Sequence, residues 1–349
     1  MSRFFNVIKK NRFTFFMVVF LAVFYSMLFL VGHGTWEKGQ TATMEKSVPI
    51  VSAKEIHEKE DLFKKNIQSH PSAIGGMVLF FLLVIVCGFY ADTYLLKKKL
   101  KGEPLVAGGL PHEPVRWGVK DVGQIFVFIL FAESLILSVE WILGHFVDLG
   151  GIEKHLMLMF NSLIRDMAAA GFVIFLVTRR FRHKLSEIGL TTRNFLQNVR
   201  IGVFGYLAAI PAILLVLLIL SYTAQKFSYE PPVQPVVQIY LKEQGKNYLL
   251  FFTLFVALVG PLIEEIFFRG FTYRAFRQKF GVRWALVASS SIFAGLHMSL
   301  IAFFPIFLLG FFLAYLYENT GSLVPSMTVH MMHNLIMVLM TLVFKTFSV

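Results

Sequence analysis

Apolar runs recur along the chain at roughly 14–32, 74–91, 122–145, 160–178, 200–221, 248–268, 284–300, 302–317 and 324–345. Polar, basic or proline-bearing stretches separate them. An α-helix needs about 20 apolar residues to cross about 30 Å of hydrocarbon, and most of the runs approach that length. The pattern predicts an all-α polytopic transmembrane helical bundle of about 8–9 membrane spans. The lower count applies if 298–317, which contains Pro305, is one broken span. The first run follows Arg3, Lys9, Lys10 and Arg12, exceeds the core of a signal peptide and lacks a small-x-small cleavage site, so it reads as an uncleaved anchor. Between spans, 33–73 alternates acidic and basic residues and predicts a short solvated helix, whereas "YEPPVQPVV" (229–237) predicts an extended segment.

Composition agrees: 56% of the 349 residues are hydrophobic, 39 are Phe and only 15% are charged, where soluble domains carry about a quarter. A formal charge of +12 would suggest nucleic acid in a soluble protein. Here the excess sits in "LLKKKLKG" (95–102), "TRRFRHK" (178–184) and "FRGFTYRAFRQKFGVR" (268–283), while 33–73, 146–159 and 222–247 are close to neutral. Nine spans with a cytoplasmic N-terminus place all three basic loops inside, so the expected partner is the lipid bilayer and not nucleic acid. The only cysteine, Cys87, lies in an apolar run, which excludes an intramolecular disulfide and a cysteine metal site.

Residues 1–120 read as an N-terminal extension with two spans and an extracytoplasmic loop (33–73), and 121–349 as a transmembrane core. Candidate chemistry concentrates in 260–335. "GPLIEEIFFRG" (260–270) sets two glutamates and an arginine at the end of an apolar run, although a charge at a helix centre costs about 2.5–3.5 kcal/mol on insertion scales. Glu264 lies 17 residues before Gly281 and His297 lies 16 after it. At about 1.5 Å per residue an antiparallel hairpin brings both roughly 20–25 Å from the turn. His330 and Asn334 follow Gly321 by 9 and 13 residues, or roughly 14 and 20 Å. Three helices thus carry polar groups at overlapping depths.

Glu265 and Arg269 are four apart and share a helix face, so they are expected to form a structural ion pair. Glu264 is rotated about 100° from Glu265 and is left for chemistry. His330 and Asn334 are also four apart and can address one point. Pro261, one turn before Glu264, removes a helix hydrogen bond and favours a kink that admits water. His333 lies beside this face and reads as structural. Glu133 and Glu140 share a face of the third span and suggest no chemistry.

"EEIFFR" (264–269), "FAGLH" (293–297) and "HMMHN" (330–334) fit Glu-Glu-x-x-x-Arg, Phe-x-x-x-His and His-x-x-x-Asn. In that order, on successive apolar helices, they resemble the three motifs of the CPBP family, which comprises CAAX prenyl endopeptidases and bacteriocin-processing (Abi) intramembrane proteases. The resemblance covers about 160–345 and leaves the first two spans outside. It implies a glutamate-dependent intramembrane endopeptidase without a cofactor. Glu264 would be the general base that activates water, with His297 assisting. His330 and Asn334 would stabilise the oxyanion, and Glu265 and Arg269 would support them. The substrate would be a membrane-associated peptide or protein, processed at a CAAX terminus or as a leader or precursor, in a cavity opening toward the cytoplasm.

Two rivals use the same residues. Glu264, His297 and His330 form a possible His₂Glu set for catalytic zinc, although no His-Glu-x-x-His motif is present. A non-catalytic immunity or scaffold protein is the alternative of another class, whereas the inverted repeats of a transporter are not found. The N-terminal extension could recruit an accessory partner or substrate.

Overall fold

The computed structural model describes residues 12–35, 51, 53–102, 109–110, 113–144, 146, 154–229 and 233–348. Among the described residues all regular structure is helical. The helices are α1 (Arg12–Thr35), α2 (Ala53–Gln68), α3 (Pro71–Leu100), α4 (Val119–Leu143), α5 (Lys154–Phe175), α6 (Phe195–Lys226) and α7 (Pro235–Lys242). A long run, 246–295, is broken at Gly281 (φ 78°, ψ 170°) into α8 (246–280) and α9 (282–295). α10 (Leu300–Thr320) and α11 (Leu323–Phe347) complete the chain.

Each of the nine predicted spans coincides with a helix, and seven helical runs are long and apolar enough to cross a membrane, the broken one counted once. The chain is an integral, multi-pass membrane protein. The break in this region falls before Pro305, between α9 and α10. α9 ends at Gly295, the backbone turns through Met298 (φ 50°), and Ser299 caps α10 by accepting from Ala302 N–H at 3.3 Å. Pro305 lies inside α10. The expectation of an extended 229–237 is corrected from Pro235 onward. Proline without an N–H is suited to a first helical turn, and Pro235 opens α7; residues 230–232 lie outside the described residues. The helix expected within 33–73 is α2, on which Lys54, Glu58, Asp61, Lys64 and Lys65 stand exposed.

Two compact units emerge. The smaller holds α1, α4 and α5 (Met1–Ile50 and Trp117–Leu176), and the larger holds the other helices (Val51–Arg116 and Val177–Val349). The first two spans therefore belong to different units. Phenylalanines cement the smaller one: Phe128 and Phe172 stack at 4.2 Å, with Phe13 against both and Phe20 edge-on to Phe131 at 5.0 Å. Glu133 and Glu140, which suggested no chemistry, find partners on α5. Arg165 Nη1 reaches Glu133 at 3.0 Å and its Nε reaches Asp166 at 3.1 Å, while Asn161 donates to Glu140 at 2.7 Å. Paired charges of this kind are the form in which a membrane interior tolerates them.

In the larger unit α6, α10 and α11 share an apolar core of Tyr206, Ile210, Ile213, Leu313, Leu316 and Val329. Without a hydrophobic drive between helices in lipid, close approach depends on small residues. A Cβ on Gly202 would stand 2.6 Å from Thr328 Cβ, and one on Gly88 would stand 2.8 Å from Pro211 Cγ.

At the end carrying the basic loops, short segments lock these helices. Tyr317 Oη donates to Ile188 O at 2.9 Å, Leu323 N–H to Gly189 O at 2.9 Å, and Leu110 N–H to Glu318 O at 2.8 Å. Glu318 also accepts from Tyr273 Oη at 2.9 Å and from Arg277 Nε at 3.1 Å, which ties α8 to α10. Hydrogen bonds from His183 and from Lys184 N–H hold the Glu187 carboxyl below its ordinary pKa. This capping is therefore retained at neutral pH and lost as pH falls through that lowered value.

Gly189 combines a left-handed backbone with close packing. Its φ is +82°, and a Cβ there would lie 2.7 Å from the Tyr317 ring and 3.0 Å from Gly321 O. Gly189→Ala is expected to destabilise the larger unit by about 2–5 kcal/mol, combining a left-handed backbone with overpacking against a carbonyl that cannot yield. A thermal midpoint in detergent equal to that of the parent would contradict this account.

Candidate active site

α8 builds the site by departing from α-helical register twice. Residues Phe255–Val259 form a π-turn in which Gly260 N–H bonds to Phe255 O, one residue farther back than in an α-helix. In that register the carbonyl of Val256 would be served by residue 261, which is proline and has no N–H. Asn334 on α11 serves it instead, Nδ2 donating to Val256 O at 2.9 Å. Pro261 is thus absorbed by a π-turn and a side chain from a neighbouring helix. The α-helical turn that follows, Gly260–Glu265, carries both glutamates, and a second π segment, Ile266–Tyr273, carries Arg269. π-turns inside α-helices are frequent at functional sites.

The two glutamates have opposite environments, as their rotation about the helix requires. Glu265 is fully buried, whereas about a third of the Glu264 side chain is exposed (35%). Glu265 Oε1 accepts from Arg269 Nη1 at 2.8 Å and from His330 Nδ1 at 2.9 Å, and its Oε2 is buried without a hydrogen-bond partner. Arg269 is buried as well. Its Nη2 donates to Gly310 O at 3.1 Å, and its guanidinium lies 4.4 Å from the Phe293 ring centroid. α10 can come this close because Gly310 lacks a side chain: a Cβ there would be 3.0 Å from Phe293 Cδ1 and 3.4 Å from Arg269 Nη2.

His330, buried on α11, stands between the glutamates. A carboxylate acceptor at Nδ1 places the ring proton on that nitrogen. Nε2 then faces Glu264 Oε2 at 3.7 Å.

His297 occupies the exposed turn after α9. Its Nδ1 donates to Phe293 O at 2.9 Å. No hydrogen bond or ion pair joins it to Glu264 among the described residues. The Phe293 ring links the two histidines, meeting His297 at 5.1 Å and His330 at 5.6 Å between centroids. His333, expected to be structural, turns toward Tyr206 Oη on α6 at 3.4 Å. Two cavities of the larger unit, of about 400 and 640 Å³, are lined by neither glutamate. Among the described residues no three His, Cys, Asp or Glu side chains are set to hold a metal ion, the Glu264, His297 and His330 set included.

Sequence reasoning brought together Glu264, Glu265, Arg269 and His330, and it missed the contributions of Phe293, Gly310 and the Val256 carbonyl. Gly310, a lone glycine in "FLLGFF", was the available signal for a close approach.

The bond from Asn334 to Val256 O can be tested. Asn334→Ala leaves the Val256 carbonyl unserved, an expected loss of about 1–3 kcal/mol. Adding Pro261→Ala supplies an N–H at the i+5 position and is expected to recover most of that stability without restoring any activity that needs the amide. Equal thermal midpoints for the single and double variants would overturn the assignment.

Residues 246–336 match the family model of type II CAAX prenyl endopeptidase Rce1-like. The match starts with α8 and ends inside α11, so it contains both glutamates, Arg269, His297, His330 and Asn334 within about a quarter of the chain. It is consistent with the CPBP resemblance of the three motifs. No curated protein and no solved structure matches the chain.

Proposed function

We propose that the protein is an intramembrane endopeptidase in which Glu264 activates the hydrolytic water. The observation that supports this reading most is the His330 bridge: one carboxylate, Glu265, is consumed in orienting the imidazole, and the partly exposed one, Glu264, faces its other nitrogen. In the proposed reaction Glu264 takes a proton as the water oxygen bonds to the scissile carbonyl carbon, with His297 Nε2 assisting. The carbonyl electrons move to oxygen, where His330 Nε2–H and the second Asn334 Nδ2–H meet the developing charge. As the C–N bond breaks, Glu264 returns the proton to the leaving amine. Glu265 and Arg269 hold the imidazole in place.

The substrate is a membrane-associated protein or peptide. A prenylated CAAX terminus is the class that the matched family's description suggests, and a leader or precursor segment is the alternative. The scissile stretch enters unwound, because a helix occupies its own carbonyls. With the N-terminus and the basic loops in the cytoplasm, the site is reached from that side.

The test compares protein termini in membranes from cells carrying the parent protein or Glu264→Gln at equal abundance. A terminus made only by the parent supports proteolysis, and its position separates CAAX from precursor processing. Identical termini, with equal rescue of any deletion phenotype, would transfer the protein to a scaffold or immunity role. Inhibition by a chelator, reversed by zinc, would move the water onto a metal.

A further inference from the structure

α3, α6 and α10 enclose a groove of about 640 Å³ in the larger unit, apart from the glutamates. Its polarity is divided along its length. Lys98, two residues from the end of α3, and Arg200, in the second turn of α6, line it at the end carrying the basic loops, together with Gln197 and Tyr315. From there inward the lining is Val203, Leu207, Phe312 and Leu316. Arg200 and Leu207 are seven residues apart, so the apolar part runs inward by about 10 Å along α6.

The walls are built features. Tyr94 meets Phe204 edge-on at 5.5 Å, closing the seam between α3 and α6. Gly205 lets α10 press in, since a Cβ there would stand 3.3 Å from Phe312 Cζ.

Two cations face this groove, and among the described residues neither forms an ion pair. Arg200 is exposed at that end and Lys98 is partly buried, so both head groups are available to an anion at the mouth. A mouth with two cations that form no ion pair among the described residues, leading inward to an apolar slot, is complementary to an amphiphile with an anionic head. Basic pockets between membrane helices take lipid headgroups in this way.

We propose that the groove binds one anionic phospholipid of the surrounding bilayer. Its phosphate rests between Lys98 and Arg200, and an acyl chain runs along Val203, Leu207, Phe312 and Leu316. Such a lipid touches three helices at once and braces α10, the helix whose Gly310 carbonyl holds Arg269. The proposal does not depend on the proteolytic reading.

The full-length protein in neutral detergent can be titrated with phosphatidylglycerol, phosphatidylcholine or glycerol phosphate. Bound lipid is read by native mass spectrometry and stabilisation by the thermal midpoint. One phosphatidylglycerol is expected to be retained, with at least a tenfold preference over phosphatidylcholine. Lys98→Gln with Arg200→Gln is expected to remove that preference, and Leu207→Trp, which fills the slot, to weaken retention several-fold. Lys120→Gln, a basic residue of the smaller unit, is expected to leave both unchanged.

Undiminished retention by the double variant, or equal binding of the two lipids, would overturn the proposal. So would equal loss in Lys120→Gln, which would indicate diffuse surface charge. Glycerol phosphate competing as well as the lipid would reduce the site to a phosphate site. Stoichiometric displacement by a prenylated peptide would reassign the groove to substrate.

Discussion

Glu264→Gln is expected to lower the cleavage rate about 100- to 10,000-fold while leaving the thermal midpoint unchanged, and Glu265→Gln is expected to fail by the opposite route. The asymmetry follows from what each carboxylate touches. Glu264 is partly exposed and lies 3.7 Å from His330 Nε2, beyond hydrogen-bond distance, so an amide there breaks no direct hydrogen bond. It removes only the base, a contribution of about 10²–10⁴ in rate, and with it the electrostatic hold on the imidazole. Glu265 is fully buried and its Oε1 accepts from both Arg269 and His330. Its neutralisation strands a buried guanidinium, and breaking such a pair costs about 3–5 kcal/mol. Cleavage of the substrate found by comparing termini, measured beside thermal midpoints in detergent, separates the two effects. An active, stable Glu264→Gln protein would end the catalytic assignment, and an inactive but fully stable Glu265→Gln protein would exchange the two roles.

The second large effect is a rescue. Arg269→Met alone is expected to destabilise by about 3–5 kcal/mol, because Glu265 keeps its charge in an apolar surround and loses its strongest partner. In the double variant Glu265→Gln with Arg269→Met no buried charge is left unpaired, and Met retains part of the packing against Phe293. Its loss is expected to be smaller than the sum of the single losses by about 2–3 kcal/mol, the size of coupling found for groups in direct contact. The recovered protein should still cleave slowly, since the imidazole is then oriented by a neutral amide. Strict additivity would show that the 2.8 Å contact does not hold the fold.

Depth arithmetic on three helices was sound where the chain is regular. His330 reaches the glutamates as expected, because α11 is an uninterrupted helix after Gly321. It was less informative for His297. α9 ends at Gly295, and the imidazole sits in the following turn, bonded to its own helix at Phe293 O. A helix end that close to the motif is a local event, decided by packing and capping at Ser299, and residue counts from Gly281 do not register it. The same holds for Pro261. Its sequence position announces a missing hydrogen bond, but whether the helix kinks, or widens into a π-turn and borrows Asn334, depends on what the facing helix offers.

The amino-acid sequence by itself determined the all-helical membrane architecture, the apolar helical segments, and the different facing of Glu264 and Glu265. These follow from run length and from the angle between neighbouring residues on a helix, both of which are properties of a single segment. Only the tertiary structure decided which helix serves which charge: α5 for Glu133 and Glu140, α10 through Gly310 for Arg269, and α11 through His330 for Glu264 and Glu265. Lipid surrounds every span with the same apolar solvent, so hydropathy cannot rank helix neighbours. That choice is left to small residues and polar groups, which act only when two helices are already in contact.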